Sequence, residues 1–480
     1  MLEKITQALL ALLVAGGGQV FAQAIHPAQT NGNPVAPTCG SYELMQHVDQ
    51  HHPGFMENSN TMMEQIQHIV ANQAQAKGPT DLYTIPVVFH VVYNDPTENL
   101  PDSVLENQLL ILNECFRRQN DDKINTRSEF LPYVGDAGIQ FKFAEQDPDG
   151  NPTNGITRTS TNITHFGGVL PYGQGQNQEI ADWVNDSLYY NYFRLTNDTL
   201  GGISAWNTDE YVNIWIGDLR IFEPQFNNFE EIVFFALGIP PVGHVNFPNT
   251  GIDVLQAMGD GILMHYVNVG SNNPNVFPNP YDVYNGKANG GKTLVHEMGH
   301  YLGLRHIWGD GDCTVDDYVN DTPMASAQSN YNCNLTLNSC VDDIDGVDLP
   351  NMVENYMDYS SVSCQNSFTL GQIAVMRIVL EDYRTNLAEV SSMASTEEFS
   401  MEEIKVYPNP TSGTFIVDLG ELSTVQTLQI LSVDGRVVAE NEGVLKGEIS
   451  FVLEEKPGVY FIRVQNKQGE NKVLKLMIQS

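Results

Sequence analysis

His296-Glu297-Met298-Gly299-His300-Tyr301-Leu302-Gly303-Leu304-Arg305-His306 is the stretch on which the reading of this chain turns. On a helix, residues four apart lie side by side, so His296 and His300 project together as a pair of metal ligands. Glu297 sits one step round, near enough to take a proton from a metal-bound water. Gly303 lets the chain leave the helix in a conformation that a Cβ would resist, and His306 then swings back as a third ligand. Three neutral imidazoles leave a zinc ion its net positive charge and an open position, from which it acidifies bound water and polarises a peptide carbonyl. Two histidines on an amphipathic helix can be ordinary core residues. The extended five-position pattern is too specific for that.

Around this helix the sequence reads as a mixed α/β body. Ile85–Tyr93 (IPVVFHVVY) is a β-branched apolar run expected to form a central strand. Ser103–Arg117 follows with helical apolar spacing, capped by Asp102 or Ser103. Further strands are expected at Ile139–Phe143, Val212–Gly217 and Gly261–Val267, the last as an edge strand along which an extended peptide would pair. The Gly-, Asn- and Pro-rich stretches 149–180 and 219–290 read as surface loops.

Lys and Arg number 23 against 59 Asp and Glu, a formal net charge of -36. Such a polyanion lacks the positive charge that nucleic-acid binding requires, and no nucleic-acid partner is expected. The N-terminus reads as an export signal over residues 1–24: Lys4, an apolar run from Ala8 to Ala15, and an Ala22-Gln23-Ala24 cleavage site. The apolar run is short and Gly-rich, so no transmembrane anchor is expected. Export permits disulfides among the six cysteines, four of which crowd into the region from Cys313 to Cys364. Spacing alone leaves three pairings open for those four, and a four-thiolate zinc site lacks the paired C-x-x-C knuckles. Residues 25–80 are polar, with helical stretches at Ser41–Val48 and Thr61–Ala76, and read as a pro-segment. The catalytic body then occupies 81–390 and a linker 391–404. The last part, 405–480, carries six short β-rich runs, with Asp434-Gly435 marking a hairpin between the second and third, and reads as a small antiparallel sandwich.

HEMGHYLGLRHIWGDGDC, with VNDTP (Val319–Pro323), NYMDYS (Asn355–Ser360) and Cys364, resembles the pappalysin family of metzincin zinc metallopeptidases over about residues 80–385. The resemblance implies zinc on His296, His300 and His306, Glu297 as general base and acid, Met357 as the Met-turn beneath the metal, and Tyr359 as support for the oxyanion. It implies the pairs Cys313–Cys340 and Cys333–Cys364, and a calcium site at Asp317 and Thr322, with Asp321 a further candidate. The alternative is a solvated acidic loop. It also implies that Cys39, in Cys39-Gly40, ligates the zinc in a latent zymogen; the rival is a Cys39–Cys115 disulfide, suggested by the even cysteine count. Family members that cut beside Arg have an acidic residue two positions before the last cysteine. Here that position is Val362, whose apolar side chain cannot offset the desolvation of a guanidinium, so an apolar or small P1′ residue is expected, unless Asp358 reaches in.

KVYPNPTSGTF (Lys405–Phe415), DGRVV and PGVYFIRV resemble the sorting domain of the type IX secretion system of Bacteroidota. That implies the secretion machinery as a partner, passage through the periplasm, and a secreted or outer-surface location. The function expected is a secreted zinc endopeptidase acting on proteins or peptides. The alternative is a non-enzymatic adhesion protein on a metallopeptidase-like scaffold.

Overall fold

The computed structural model describes residues 38–73, 81–169, 189–223, 229–232, 234–241, 259–279, 281–392, 404–419, 425–432, 436–445, 447–453, 456–466 and 471–479. The expected export signal, the Asp434-Gly435 turn and nearly all of the expected linker lie outside these. The chain divides into two compact units at Ser391/Ser392.

The first unit is built on β2 (Asp81–Tyr93), whose residues from Val87 to Val92 are all buried. An unbroken apolar run of this kind suits a strand covered on both faces, and its neighbours β3 (Ile139–Phe143), β4 (Ile156–Ser160) and β6 (Val212–Gly217) all pair with it in parallel. The sheet runs β1-β9-β10-β6-β2-β11, with β1 (Thr38–Cys39), β9 (Phe234–Gly238), β10 (Gly261–His265) and β11 (Glu389–Ser392). A small sheet of β5 (Gly168–Val169), β7 (Ile221–Glu223) and β8 (Phe229–Glu231) stands apart.

The stretch read as loops therefore holds strands, and β10 is not an edge. It lies between β6, which it pairs in parallel, and β9, which it pairs antiparallel. The outer position belongs to β9, itself covered by β1 in parallel register, Thr38 opposite Phe234 and Cys39 opposite Ala236. Helices α1 (Ser41–His51) and α2 (Phe55–Gln73) follow β1 directly, and Leu44, Val48, Phe55 and Ile66 join the same apolar core as the sheet. Helix α3 (Asp102–Phe116) has Pro101 at its N-cap and no side-chain cap. Asp102 instead pairs with Arg158. The short α4 (Tyr189–Phe193) precedes β6; α5 (Lys292–Tyr301) carries the histidines, and α6 (Leu370–Ile378) opens with a Thr369–Gln372 capping box.

The second unit contains two antiparallel sheets. One has the order β12-β13-β16 (Lys405–Tyr407, Thr414–Asp418, Glu448–Val452). The other has the order β15-β14-β17-β18 (Val437–Leu445, Val425–Ser432, Gly458–Asn466, Asn471–Ile478). Phe415, Val417, Leu428, Ile430, Ile462 and Leu476 form its separate core, the arrangement of a small sandwich. No helix among the described residues is long and apolar enough to cross a membrane.

Candidate active site

Helix α5 leaves a glycine turn, Gly291 at φ 79°, and Gln108 of α3 fixes that turn by donating to Gly291 O at 2.8 Å. Residues Leu294 to Tyr301 are all buried, so His296, Glu297 and His300 face protein rather than solvent. Gly303 adopts φ 93° and sits against Val379, where a Cβ would approach to 2.8 Å. The chain turns there and returns His306, whose ring stacks on Trp308 with centroids 4.3 Å apart.

Each imidazole is oriented through its Nδ1: His296 to Tyr356 O at 2.7 Å, His300 to Leu304 O at 2.8 Å, His306 to Asp310 Oδ1 at 2.5 Å. The Nε2 atoms converge, with His300 Nε2 3.1 Å from those of both His296 and His306. That spacing is roughly the edge of a tetrahedron about an ion 2.0–2.1 Å from each nitrogen. Burial and the neighbouring His306 push His296 down to about 3 and hold His300 well below the usual histidine range, so both rings stay neutral as ligands must. Cys39 Sγ completes the set, with the four ligand atoms within 4.8 Å of one another. Three imidazoles and a thiol are the donors that zinc prefers. Asp310 escaped the sequence reading. Its signal is the His306-x-x-x-Asp310 spacing, which becomes legible only once His306 is known to need its Nδ1 held.

Glu297 is fully buried, and burial lifts its carboxyl to about 7. Its Oε2 lies 3.3 Å from Cys39 Sγ and accepts from Ser41 Oγ at 3.1 Å, while Oε1 has no partner. Ser41 Oγ in turn accepts the Gly238 N–H of β9 at 2.9 Å. Tyr359 Oη accepts the Cys39 N–H at 3.1 Å and donates to Cys39 O at 3.3 Å; burial keeps the phenol protonated. Cys39 and Cys115 are both free and buried, so the Cys39–Cys115 disulfide does not form. Burial and the Glu297 carboxylate push the Cys39 thiol up, and a bound cation acts in the opposite sense.

Met357 is fully buried, and a Cβ on Gly299 would meet its Sδ at 2.4 Å, so this side chain lies directly against α5. Beyond His296 a recess is lined by Phe235, Lys287, Lys292, Tyr331, Asp358 and Val362. Asp358 accepts the Ser329 N–H at 3.2 Å through Oδ1, leaves Oδ2 unpartnered, and is lifted by burial to about 6. The sequence reading named Val362 and Asp358 and missed both lysines.

The disulfides Cys313–Cys340 and Cys333–Cys364 are present, with S–S 2.03 and 2.12 Å. Thr322 Oγ1 lies 2.9 and 2.8 Å from the two Asp317 oxygens, whereas Asp321 turns to the start of α6, accepting from Gly371 N at 2.8 Å. Among the described residues no second group of three or more His, Cys, Asp or Glu side chains converges as the Cys39–histidine set does.

Residues 264–381 match a peptidase M43 family model, described as pregnancy-associated plasma protein-A, and residues 405–479 match a secretion system C-terminal sorting domain. An extracellular metalloprotease of Arthroderma benhamiae is 34% identical over 156 residues, 32% of this chain and 47% of that protein. Extracellular metalloprotease 1 of Coccidioides posadasii is 40% identical over 105 residues, 22% of this chain and 33% of its own. The chain thus spans about half or less of these curated relatives. A promirolysin mutant of Tannerella forsythia is 30% identical and superposes with a TM-score of 0.51, over 73% of this chain and 96% of the other.

Proposed function

Since the chain belongs to the M43 metallopeptidase family, we propose that it is a secreted zinc endopeptidase whose N-terminal segment keeps it latent. The observation that carries this is the convergence of three oriented Nε2 atoms beside a buried carboxylate, with a thiol closing the set. His296, His300 and His306 would hold the zinc, which supplies a Lewis acid and an acidified water at the open position. Glu297 takes the proton and delivers it to the leaving amine, its Oε1 carrying no other partner among the described residues. Tyr359, once its hydroxyl is released from Cys39, can donate to negative charge developing on the scissile carbonyl.

Latency follows from the same contacts. Cys39 fills the fourth ligand position, Ser41 occupies the carboxylate, and β1 covers the β9 edge on which an extended peptide would pair. Arg305 beside the cluster donates to Ser59 Oγ and Asn60 Oδ1 of α2 at 3.1 and 2.7 Å, anchoring the segment further. We assign residues 1–24 to export, 25–80 to the pro-segment, 81–390 to catalysis, 391–404 to a linker and 405–480 to sorting by the type IX machinery, with release or surface attachment outside the cell. Calcium is the finer reading: burial raises the Asp317 carboxyl well up, a state that a bound cation would reverse. A rise in melting temperature with calcium, absent in Asp317→Ala, tests it.

The decisive experiment incubates the protein, after pro-segment removal and zinc loading, with a proteome-derived peptide library beside a Glu297→Ala version. Cuts absent from the variant and from chelated protein are expected. An equal pattern in both, or none, would move the reading to a binding protein on this scaffold.

A further inference from the structure

We propose that Arg305 becomes a substrate-binding residue once the pro-segment leaves, pairing with an acidic side chain about two to four residues before the scissile bond. The inference rests on the peptidase reading above and names its substrate class, chains with Asp or Glu on that side of the cut.

Arg305 directly precedes His306, on the loop by which the chain returns from Gly303. The catalytic body sets its guanidinium from one side: the central carbon lies 4.8 Å over the Tyr318 ring, a cation–π contact. Tyr318 has a left-handed backbone, φ 66°, and its N–H is held by Asp316 Oδ1 at 2.6 Å, so a conformation that side chains disfavour keeps the ring in place. From the other side, the Arg305 Nη2 donates to Ser59 Oγ and Asn60 Oδ1. The ring beneath is permanent, whereas both acceptors depart with the pro-segment. A guanidinium keeps its charge and its five N–H donors, so the mature protein presents an oriented fork whose neutral partners have gone.

Its place in the cleft follows from the pro-segment. Cys39 faces Ala236 of β9, Ser41 reaches Gly238 at the end of that strand, and Pro240 and Pro241 come next. Arg305 shares a cavity with Ser41, Met45, Pro240, Pro241 and His300. An extended peptide on the β9 edge advances about 3.3 Å per residue, so the residues that reach this wall lie a few positions from the bond at the metal. Val362, which the family resemblance sets beside the residue after that bond, lines the recess with Phe235 near the other end of β9. Arg305 therefore faces the residues before it. Asp310 and Asp317 stand near the guanidinium, and both are engaged elsewhere. Asp310 Oδ1 holds His306 Nδ1, and the Asp317 oxygens take Thr322 Oγ1. The Asp310 charge is further offset when His306 carries a cation. An entering carboxylate thus meets a partly desolvated guanidinium that no carboxylate pairs among the described residues, and an entering Lys or Arg meets a like charge.

The test uses the full chain after pro-segment removal and zinc loading, with peptides carrying Glu, Gln or Lys in turn at P2, P3 and P4. At one or more of these positions the wild type should cut the Glu peptide about tenfold more efficiently than the Gln peptide in kcat/KM, mainly through KM, with Lys the poorest. Arg305→Gln should bring the Glu-to-Gln ratio to about one, and Arg305→Lys, which keeps the charge and loses the fork, should recover part of it. Melting temperatures check that both variants fold. Should Arg305→Gln fail to fold, the wild-type ratio is measured across salt instead, and its decline as salt rises is the supporting result. No Glu preference at any of the three positions overturns the proposal, as does a preference that survives in Arg305→Gln or is indifferent to salt. If no peptide is cut, the same set is compared as ligands of Glu297→Ala protein by fluorescence polarisation. Tighter binding of the Glu peptide, lost when Arg305→Gln is added, then upholds the site although the peptidase reading falls, and equal binding defeats both.

Discussion

Glu43 gives the pro-segment a dependence on pH that can be measured directly. It lies in the first turn of α1, Oε2 is shielded without a partner, and the carboxylates of Asp310 and Glu297 stand nearby. Burial is the main cause lifting its value from 4.5 to about 8 in the docked segment, with Asp310 and Glu297 adding to it. Because the docked value lies above that of the released chain, the docked state binds the proton more tightly. Docking is strongest below about pH 4.5 and weakens as pH rises through about 8, by up to about 1.4 kcal/mol per pH unit between those limits. One side of the residue reaches solvent, so we expect about 1–3 kcal/mol in all rather than the ceiling near 5. The assay is hydrogen exchange of the amides of residues 40–51 in full-length Glu297→Gln protein, which cannot mature itself, with and without Glu43→Gln. Comparing the two at each pH from 5 to 9 cancels the intrinsic exchange rates. Protection in the Glu43 protein should fall relative to Glu43→Gln by about five- to 150-fold between pH 5 and 8. A constant ratio across that range would refute the argument.

Ser41→Ala removes a hydrogen bond to a buried carboxylate worth about 1.5–3 kcal/mol, so the intact zymogen should open roughly ten- to a hundredfold more often, read as faster labelling of Cys39 by a thiol reagent. Asp310→Asn leaves His306 without its orienting carboxylate and should weaken zinc binding about 10–100-fold in a chelator competition. Replacing Cys333 and Cys364 together by Ser opens a loop closed across 31 residues and should cost about 3–4 kcal/mol in denaturant melts, with selectivity at Val362 blurred in the same protein. An unchanged midpoint would mean that the hydrogen bonds of this segment, among them Lys292 Nζ to Val362 O and Gln365 O, hold it without the bridge.

The metal helix was legible because its geometry is local: four residues bring His296 and His300 onto one face, and Gly303 marks the exit. β2 was legible for the opposite reason, since a run that is apolar throughout fits the middle of a parallel sheet. β9 was not. Phe234–Gly238 is short, sits among Gly, Asn and Pro, and becomes a strand through its register with β10 and β1. Missing it pushed the edge inward to Gly261–Val267. Ser41 was invisible for want of proximity, its partner Glu297 lying 256 positions away. Lys292 drew no notice in the sequence, although a cation at the start of a helix opposes the helix dipole; its ammonium is held by Asp122 Oδ2, Val362 O and Gln365 O.

The N-terminal helices also bear on how the protein reaches and keeps its shape. Leu44, Val48, Phe55 and Ile66 belong to the same apolar cluster as Ile214, Leu263 and Met298, so the chain folds with these side chains as part of its interior. Cleavage near residue 80 would take them away after the fold is complete. The mature enzyme would then lack some of the material that directed its own assembly, and β9 would be left with bare backbone groups. Its persistence outside the cell would rest on a slow unfolding rate more than on equilibrium, and a molecule once denatured would have no template on which to recover.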